Sequence, residues 1–263
     1  MMFARMGDAE MSGAKRYQIL DGTTLKIIAM ISMVLDHAGD LFFPGAIWLR
    51  AAGRLAMPIF AFCIAEGYAH TRDRKKYLLR MGVFALISEI PFDLAFESRI
   101  GLSHQNIMLT FFLSILALML YDGIRGEKAA GGERIPGWKT ALGVLAVGAV
   151  AALALLLKAD YTIFAVISVF LFYVLRKKHP LLRSGVGVAF LALTRTVGYY
   201  SATGLSILPL ALYNGKTGQG AQVAVLRFLS GAPSAAGRTQ APFTRLMRSA
   251  KSHPFRCAAI GPT

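Results

Sequence analysis

The chain has 263 residues, of which 55% are hydrophobic and 16% charged. A soluble domain carries roughly 25% charged residues, so this composition, with a mean hydropathy of +0.52, excludes an ordinary soluble fold. The net charge is +15, from 29 Lys and Arg against 14 Asp and Glu. The basic residues fall between apolar runs, so they point to anionic lipid headgroups and away from nucleic acid. With two cysteines, Cys63 and Cys257, there is no disulfide framework and no metal-ligand spacing, and metal dependence is not expected.

Eight apolar segments follow in chain order: Leu25–Phe43, Ala46–Tyr68, Tyr77–Phe96, Ile107–Tyr121, Ala141–Leu157, Tyr161–Leu175, Leu181–Thr194 and Ser201–Tyr213. They predict an all-α fold, a polytopic helical bundle in a membrane. Several fall short of the ~20 residues that cross a bilayer core, so they must recruit flanking residues, thin the bilayer or re-enter. Residues 1–24 lack the apolar core of a cleavable signal and read as a cytoplasmic N-terminal segment.

Loop charge sets the expected orientation. Arg5, Lys15 and Arg16 precede the first segment. Arg72, Arg74, Lys75 and Lys76 separate the second from the third, and Arg125, Lys128, Arg134 and Lys139 the fourth from the fifth. Arg176, Lys177 and Lys178 separate the sixth from the seventh, while the intervening loops hold only Arg99 and Lys158. Alternate loops are basic, which predicts a cytoplasmic N-terminus and a flexible cytoplasmic loop at Gly123–Gly137.

Ionisable residues inside apolar runs cost at least ~2.5 kcal/mol each by insertion scales, so each needs a partner or a purpose. On the expected outer side lie Asp36, His37 and Asp40, then Arg50 and Arg54 one helical turn apart. Glu89, Pro91 and Asp93, then His104, Gln105 and Asn106, then Lys158, Asp160 and Tyr161, and finally Arg195, fall on the same side. Asp36 or Asp40 is expected to pair with Arg54. His37, the histidine deepest in an apolar run, is the expected general base, with Asp36 and Arg54 as catalytic partners. Asp40, Glu89, Asp93, Gln105 and Asn106 are the expected acceptor-binding groups. Arg50, Asp40 and Arg195, taken singly, read better as assembly contacts.

At the opposite end stand Glu66, Gly67, His70 and Arg72, followed by Lys76 and Arg80. Arg72, Lys76 and Arg80 recur at helical spacing, as a stripe facing phosphate would require, and His70 is four residues from Glu66. Lys75 reads as a plain membrane-surface anchor. The GKTG at Gly215–Gly218 lacks the context of a phosphate-binding loop.

The runs LKIIAMISMVLDHAGD, GRLAMPIFAFCIAEGYAHTRDRKKYLLRM, ALISEIPFDLAF, HQNIMLTFFL and LPLALYNGKTG together resemble the TraX family, from Leu25 to Gly218. That family is associated with N-terminal acetylation of conjugative pilin and is distantly similar to transmembrane acyltransferases. The resemblance implies a 25–218 transmembrane domain in a bacterial inner membrane and acetyl-CoA as cosubstrate. It also implies an acceptor such as a pilin N-terminus or another envelope amine or hydroxyl. Asp36–His37 would match the family's DH motif and Arg54 its GR motif. Glu66–Gly67 with His70, Glu89 with Pro91, and Gln105–Asn106 would match later motifs, and Glu66, His70, Arg72, Lys76 and Arg80 would face the cosubstrate. A transporter and a non-enzymatic assembly factor are the rival readings.

From residue 219 to 263 the sequence departs from the family pattern, becoming basic and rich in Ala, Ser and Pro. QVAVLRFLSGAPSAAG, with allowed codons, reads in another frame as an aromatic-rich run ending Pro-Ala-His-Leu. A frameshifted, disordered tail is therefore expected, with a terminal span and a histidine lost.

Overall fold

The computed structural model describes residues 18–96, 101, 104–126, 135–194, 198–216 and 218. The segment from residue 219, together with Arg99, Lys128, Arg134 and Arg195, lies outside the described residues.

Among the described residues nine α-helices follow one another: α1 (Gly22–Leu41), α2 (Ile47–Gly53), α3 (Ala56–His70), α4 (Arg74–Phe96), α5 (Ile107–Arg125), α6 (Gly137–Leu156), α7 (Thr162–Val174), α8 (Pro180–Thr194) and α9 (Ile207–Ala211). Among the described residues there is no strand; the only bridges are the isolated pairs Leu20–Tyr213 and Gln105–Ala159.

Local chemistry sets the boundaries. Asp21 caps α1 by accepting the Thr24 N–H at 2.8 Å. Asn106 caps α5 by accepting from Met108 and Leu109 N–H at 2.8 and 3.1 Å. Gly126, at φ 73°, ends α5, so the expected loop at Gly123 begins three residues later: Gly123 still lies in the last helical turn. Between α2 and α3, Pro58 has no N–H to offer the Arg54 carbonyl, and the helix breaks at residues 54–55. The eighth expected segment is likewise not one α-helix. It is a 3₁₀ run, Gly198–Ser206, followed by five-residue α9. Gly204 weakens the helix there, and Pro209 cannot donate to the Leu205 carbonyl.

α3, α5 and α7 form the centre, with Phe62, Tyr68, Phe111, Ile115, Leu118 and Phe172 almost fully buried. α1 packs on α2 and α3, α4 on α5, and α6 on α5 and α7. The outer faces are apolar: Leu86 on α4 is 76% exposed and Leu156 on α6 is 79% exposed, amid many neighbours of the same kind. A water-soluble surface rarely carries apolar patches of that extent, whereas lipid accepts them.

Among the described residues three segments are long and apolar enough to cross a bilayer: Ile47–His70, Ile107–Arg125 and Gly137–Leu156. α1 and α4 are long enough but carry more charge. α7 has 13 residues, about 20 Å of helix.

Candidate functional site

At the C-terminal end of α1 the helix meets α2 almost backbone to backbone. A Cβ on Gly53 would sit 2.3 Å from the Asp36 Cβ, so only glycine fits. This approach brings Arg54 onto Asp36: Nη2 donates to Oδ1 at 2.9 Å and to Oδ2 at 3.2 Å. Arg54 is 7% exposed. Arg50, one turn earlier, reaches Asp40 at 2.9 Å and the Asp36 carboxylate at 3.7 Å. The choice left open by the sequence is thus resolved: Asp36 pairs with Arg54 and Asp40 with Arg50.

The facing wall comes from α4, α5 and the α6–α7 connection. Glu89 accepts the Asn106 backbone N–H at 3.2 Å and the Asn106 side-chain amide through Oε2. Glu89 Oε1 is buried with no partner among the described residues. In the connection, Lys158, Tyr161 and Thr162 have φ of 51°, 55° and 45°. Non-glycine residues adopt this region rarely, and β-branched Thr162 least readily. The strained turn is pinned by Asp160 N–H to the Gln105 carbonyl at 3.0 Å, and by Thr110 Oγ1 to the Asp160 carbonyl at 2.7 Å. It delivers the Tyr161 hydroxyl to Arg54, whose Nη1 donates to it at 3.0 Å.

Between these walls lies a cavity of about 290 Å³, bordered by Asp36, His37, Asn106, Asp160 and Tyr161 on its polar side. Met57, Phe60, Phe92 and Phe111 supply its apolar side. Of the residues expected here, Asp36, His37 and Asn106 border the space, while Arg54 and Glu89 hold those groups from behind. Asp40 lies outward on Arg50. Asp93, 1% exposed, accepts the Gly101 N–H at 2.9 Å and does not border the cavity. Gln105 engages Lys158 and Asp160 through its backbone. The contribution of Tyr161 to Arg54 has no sequence signal beyond a tyrosine at the edge of an apolar run.

The other end of the bundle holds a second polar group. Glu66 Oε1 meets Arg183 Nη1 at 2.7 Å, and Glu66 Oε2 lies 3.6 Å from His70 Nδ1. Arg183 of α8 is thus the principal partner of Glu66, with His70 secondary. Arg72, Lys76 and Arg80 border one cavity of about 360 Å³, together with Thr71 and Asp73. Asp73 receives the Lys76 N–H at 2.9 Å. That bond, then the Lys76 ammonium, holds its carboxyl below the ordinary 3.8. Asp122 joins α5 to three other helices, accepting from Tyr173 and Tyr68 hydroxyls at 2.6 and 3.2 Å and pairing with Arg74 at 3.0 Å. Among the described residues no group of three His, Cys, Asp or Glu side chains is placed to hold a metal ion.

An all-helical chain with lipid-type outer faces and ionisable groups turned inward is a helical membrane protein. The chain belongs to the TraX family: the family model described as "TraX protein" matches residues 21–228. It is similar to the "Probable fimbrial assembly protein FimC" of Dichelobacter nodosus, 38% identical over 108 residues covering 36% of this chain and 44% of that one. An uncharacterized protein of Rickettsia prowazekii (strain Madrid E) is 32% identical over 89 residues, 34% of this chain and 33% of that one. The chain spans less than half the length of these curated relatives. No solved structure matches.

Proposed function

We propose that this chain is an acetyltransferase of a bacterial inner membrane, with about eight membrane-crossing or re-entrant segments and a cytoplasmic N-terminus. It moves an acetyl group from acetyl-CoA to an amine or hydroxyl such as a pilin N-terminus. The observation that carries this reading is the cavity where His37 and Asp36 stand side by side, with Asp36 fixed by Arg54.

In that reading the acceptor nitrogen attacks the thioester carbonyl carbon. A C–N bond forms, the C–S bond breaks, and His37 takes the proton from nitrogen and returns it to the departing thiolate. Asp36 orients the imidazole, and the buried Arg54 charge favours the oxyanion as it develops. Asn106, set by Glu89, borders the cavity and is available to an acceptor, whereas Asp40, Asp93 and Gln105 do not border it. Arg72, Lys76 and Arg80, with Glu66 and His70, are available to the cosubstrate. From Arg54 to Arg72 is about 27 Å of helix at 1.5 Å per residue, so the thioester arm must enter the bundle beside Glu66.

The test is acetyl transfer by the full chain in lipid nanodiscs, read as free thiol released. His37→Ala should lower turnover about a thousandfold while acetyl-CoA binding persists. Wild-type turnover in that variant would refute the catalytic assignment. A second reading, a non-enzymatic assembly factor, draws on the printed name of the Dichelobacter relative. It predicts no thiol release from wild-type protein.

A further inference from the structure

We infer that the cleft where the end of α3 meets the α7–α8 junction and the Tyr213–Gly215 turn is a binding site for a phosphate group. Its cavity measures about 400 Å³ and is bordered by Arg176, Lys177 and Arg183, with Glu66 and His70 opposite. This site is separate from the Arg72–Lys76–Arg80 cavity and belongs to different helices.

Three observations converge. Arg183 is only 9% exposed, its charge met by Glu66 at 2.7 Å, and its Nε is buried without a partner among the described residues. Arg176 is held in place rather than swinging free: Nη1 donates to the Tyr173 carbonyl at 2.8 Å and the guanidinium lies 4.0 Å over the Tyr173 ring. Neither Arg176 nor Lys177 meets a carboxylate among the described residues, so after Glu66 offsets Arg183 the cleft keeps an excess of two positive charges. α8 opens at Pro180, which borders the same cleft, so the positive end of its dipole lies there too.

A fixed guanidinium, an exposed ammonium and the positive end of a helix dipole around one cleft suit an oxygen-rich dianion, with the guanidinium fork supplying paired donors. By contrast, Lys76 is already 3.5 Å from Asp73, and Arg74 is 3.0 Å from Asp122. The phosphate can come from a soluble nucleotide-type molecule or from an anionic phospholipid headgroup, since both present the same oxygens.

The experiment uses the full chain in phosphatidylcholine nanodiscs, with inorganic pyrophosphate and coenzyme A as soluble probes and phosphatidylglycerol as the lipid probe. Binding is read by calorimetry for the first two and by co-retained lipid in native mass spectrometry for the third. Lys177 is exposed, so Lys177→Glu leaves the fold intact. It should weaken binding of the occupying probe about tenfold, the scale of a lost charge-assisted contact. Lys178→Glu, in the neighbouring position but not bordering the cleft, should change it by less than about twofold. Arg176→Gln should match Lys177→Glu. Loss confined to the soluble probes assigns a soluble ligand, and loss confined to phosphatidylglycerol assigns a headgroup. Either result supports the site. No binding by any probe, or equal effects of Lys177→Glu and Lys178→Glu, would overturn it. Pyrophosphate carries no acetyl group, so this outcome is independent of whether His37 supports acetyl transfer.

Discussion

Arg54 and Asp36 form a two-pronged ion pair, 2.9 and 3.2 Å, between α1 and the α2–α3 break. With Arg54 7% exposed, its charge depends on that carboxylate. Removing one member of a buried pair costs about 3–5 kcal/mol, because the other charge is left unpaired. Asp36→Ala should therefore lower the thermal midpoint sharply. The double variant Asp36→Ala with Arg54→Met should recover much of the loss, since no bare charge remains. Thermal unfolding in detergent compares the three; a double variant no better than Asp36→Ala would show that the pair is not the source of the loss.

The same junction has a steric requirement. A Cβ at Gly53 would lie 2.3 Å from Asp36 Cβ and 2.6 Å from its Cα, while one at Gly148 on α6 would meet nothing within 4 Å. Gly53→Ala must push α1 and α2 apart and should cost at least the ~1–3 kcal/mol typical of overpacking. Gly148→Ala should be neutral or stabilising by up to ~1 kcal/mol through helix propensity. Paired melting curves decide it.

The helical, membrane-borne nature of this chain was legible because apolar runs and alternating basic loops are independent signals, and six of the eight runs each coincide with one α-helix, the second being broken in two. The Asp36–Arg54 pairing was half legible: a short connection keeps the two helices adjacent, but Asp36 and Asp40 share that face and only the Gly53 contact selects between them. Arg183 as the partner of Glu66 was not legible. The two are 117 positions apart, and Arg183 reads as one more basic residue near a membrane surface. Asp122 was hidden in the same way, at the edge of a basic loop. The break at Arg54 was written in Pro58, whose effect on the Arg54 carbonyl needs the helix register to be seen.

Asp73 gives a pH signature at the other end of the bundle. The Lys76 N–H, and then the Lys76 side chain, hold its carboxyl below the ordinary 3.8. A carboxyl lowered in the folded state adds stability that is complete above its unfolded value, near pH 4, and is lost as pH falls through the lower folded value. Asp73→Asn keeps a helix cap but removes the charge. Wild type should exceed Asp73→Asn in thermal midpoint at neutral pH, and the gap should close below about pH 4. A gap that stays constant across that range would show that the charge contributes nothing.

The proposed orientation in the membrane rests on the alternation of basic loops, which would place the connection between α5 and α6 on the cytoplasmic side. That connection and the helix turns flanking it carry Arg125, Lys128, Arg134 and Lys139, whereas the connection between α4 and α5 carries only Arg99. Positive residues in short loops are retained on the cytoplasmic side during insertion, so the count and not the net charge sets the direction. The consequence is concrete for chemistry: His37 and Arg54 would open outward, toward an envelope acceptor, and Arg72 and Lys177 inward, toward soluble phosphate. With Cys63 and Cys257 first changed to serine, a cysteine at Gly131 should react with an impermeant maleimide only after spheroplasts are lysed. A cysteine at Ser103, in the opposite connection, should react in intact spheroplasts. Reaction of the Gly131 site in intact spheroplasts would invert the protein. An acceptor would then have to reach His37 from the cytoplasm, and transfer to an exported substrate would be excluded.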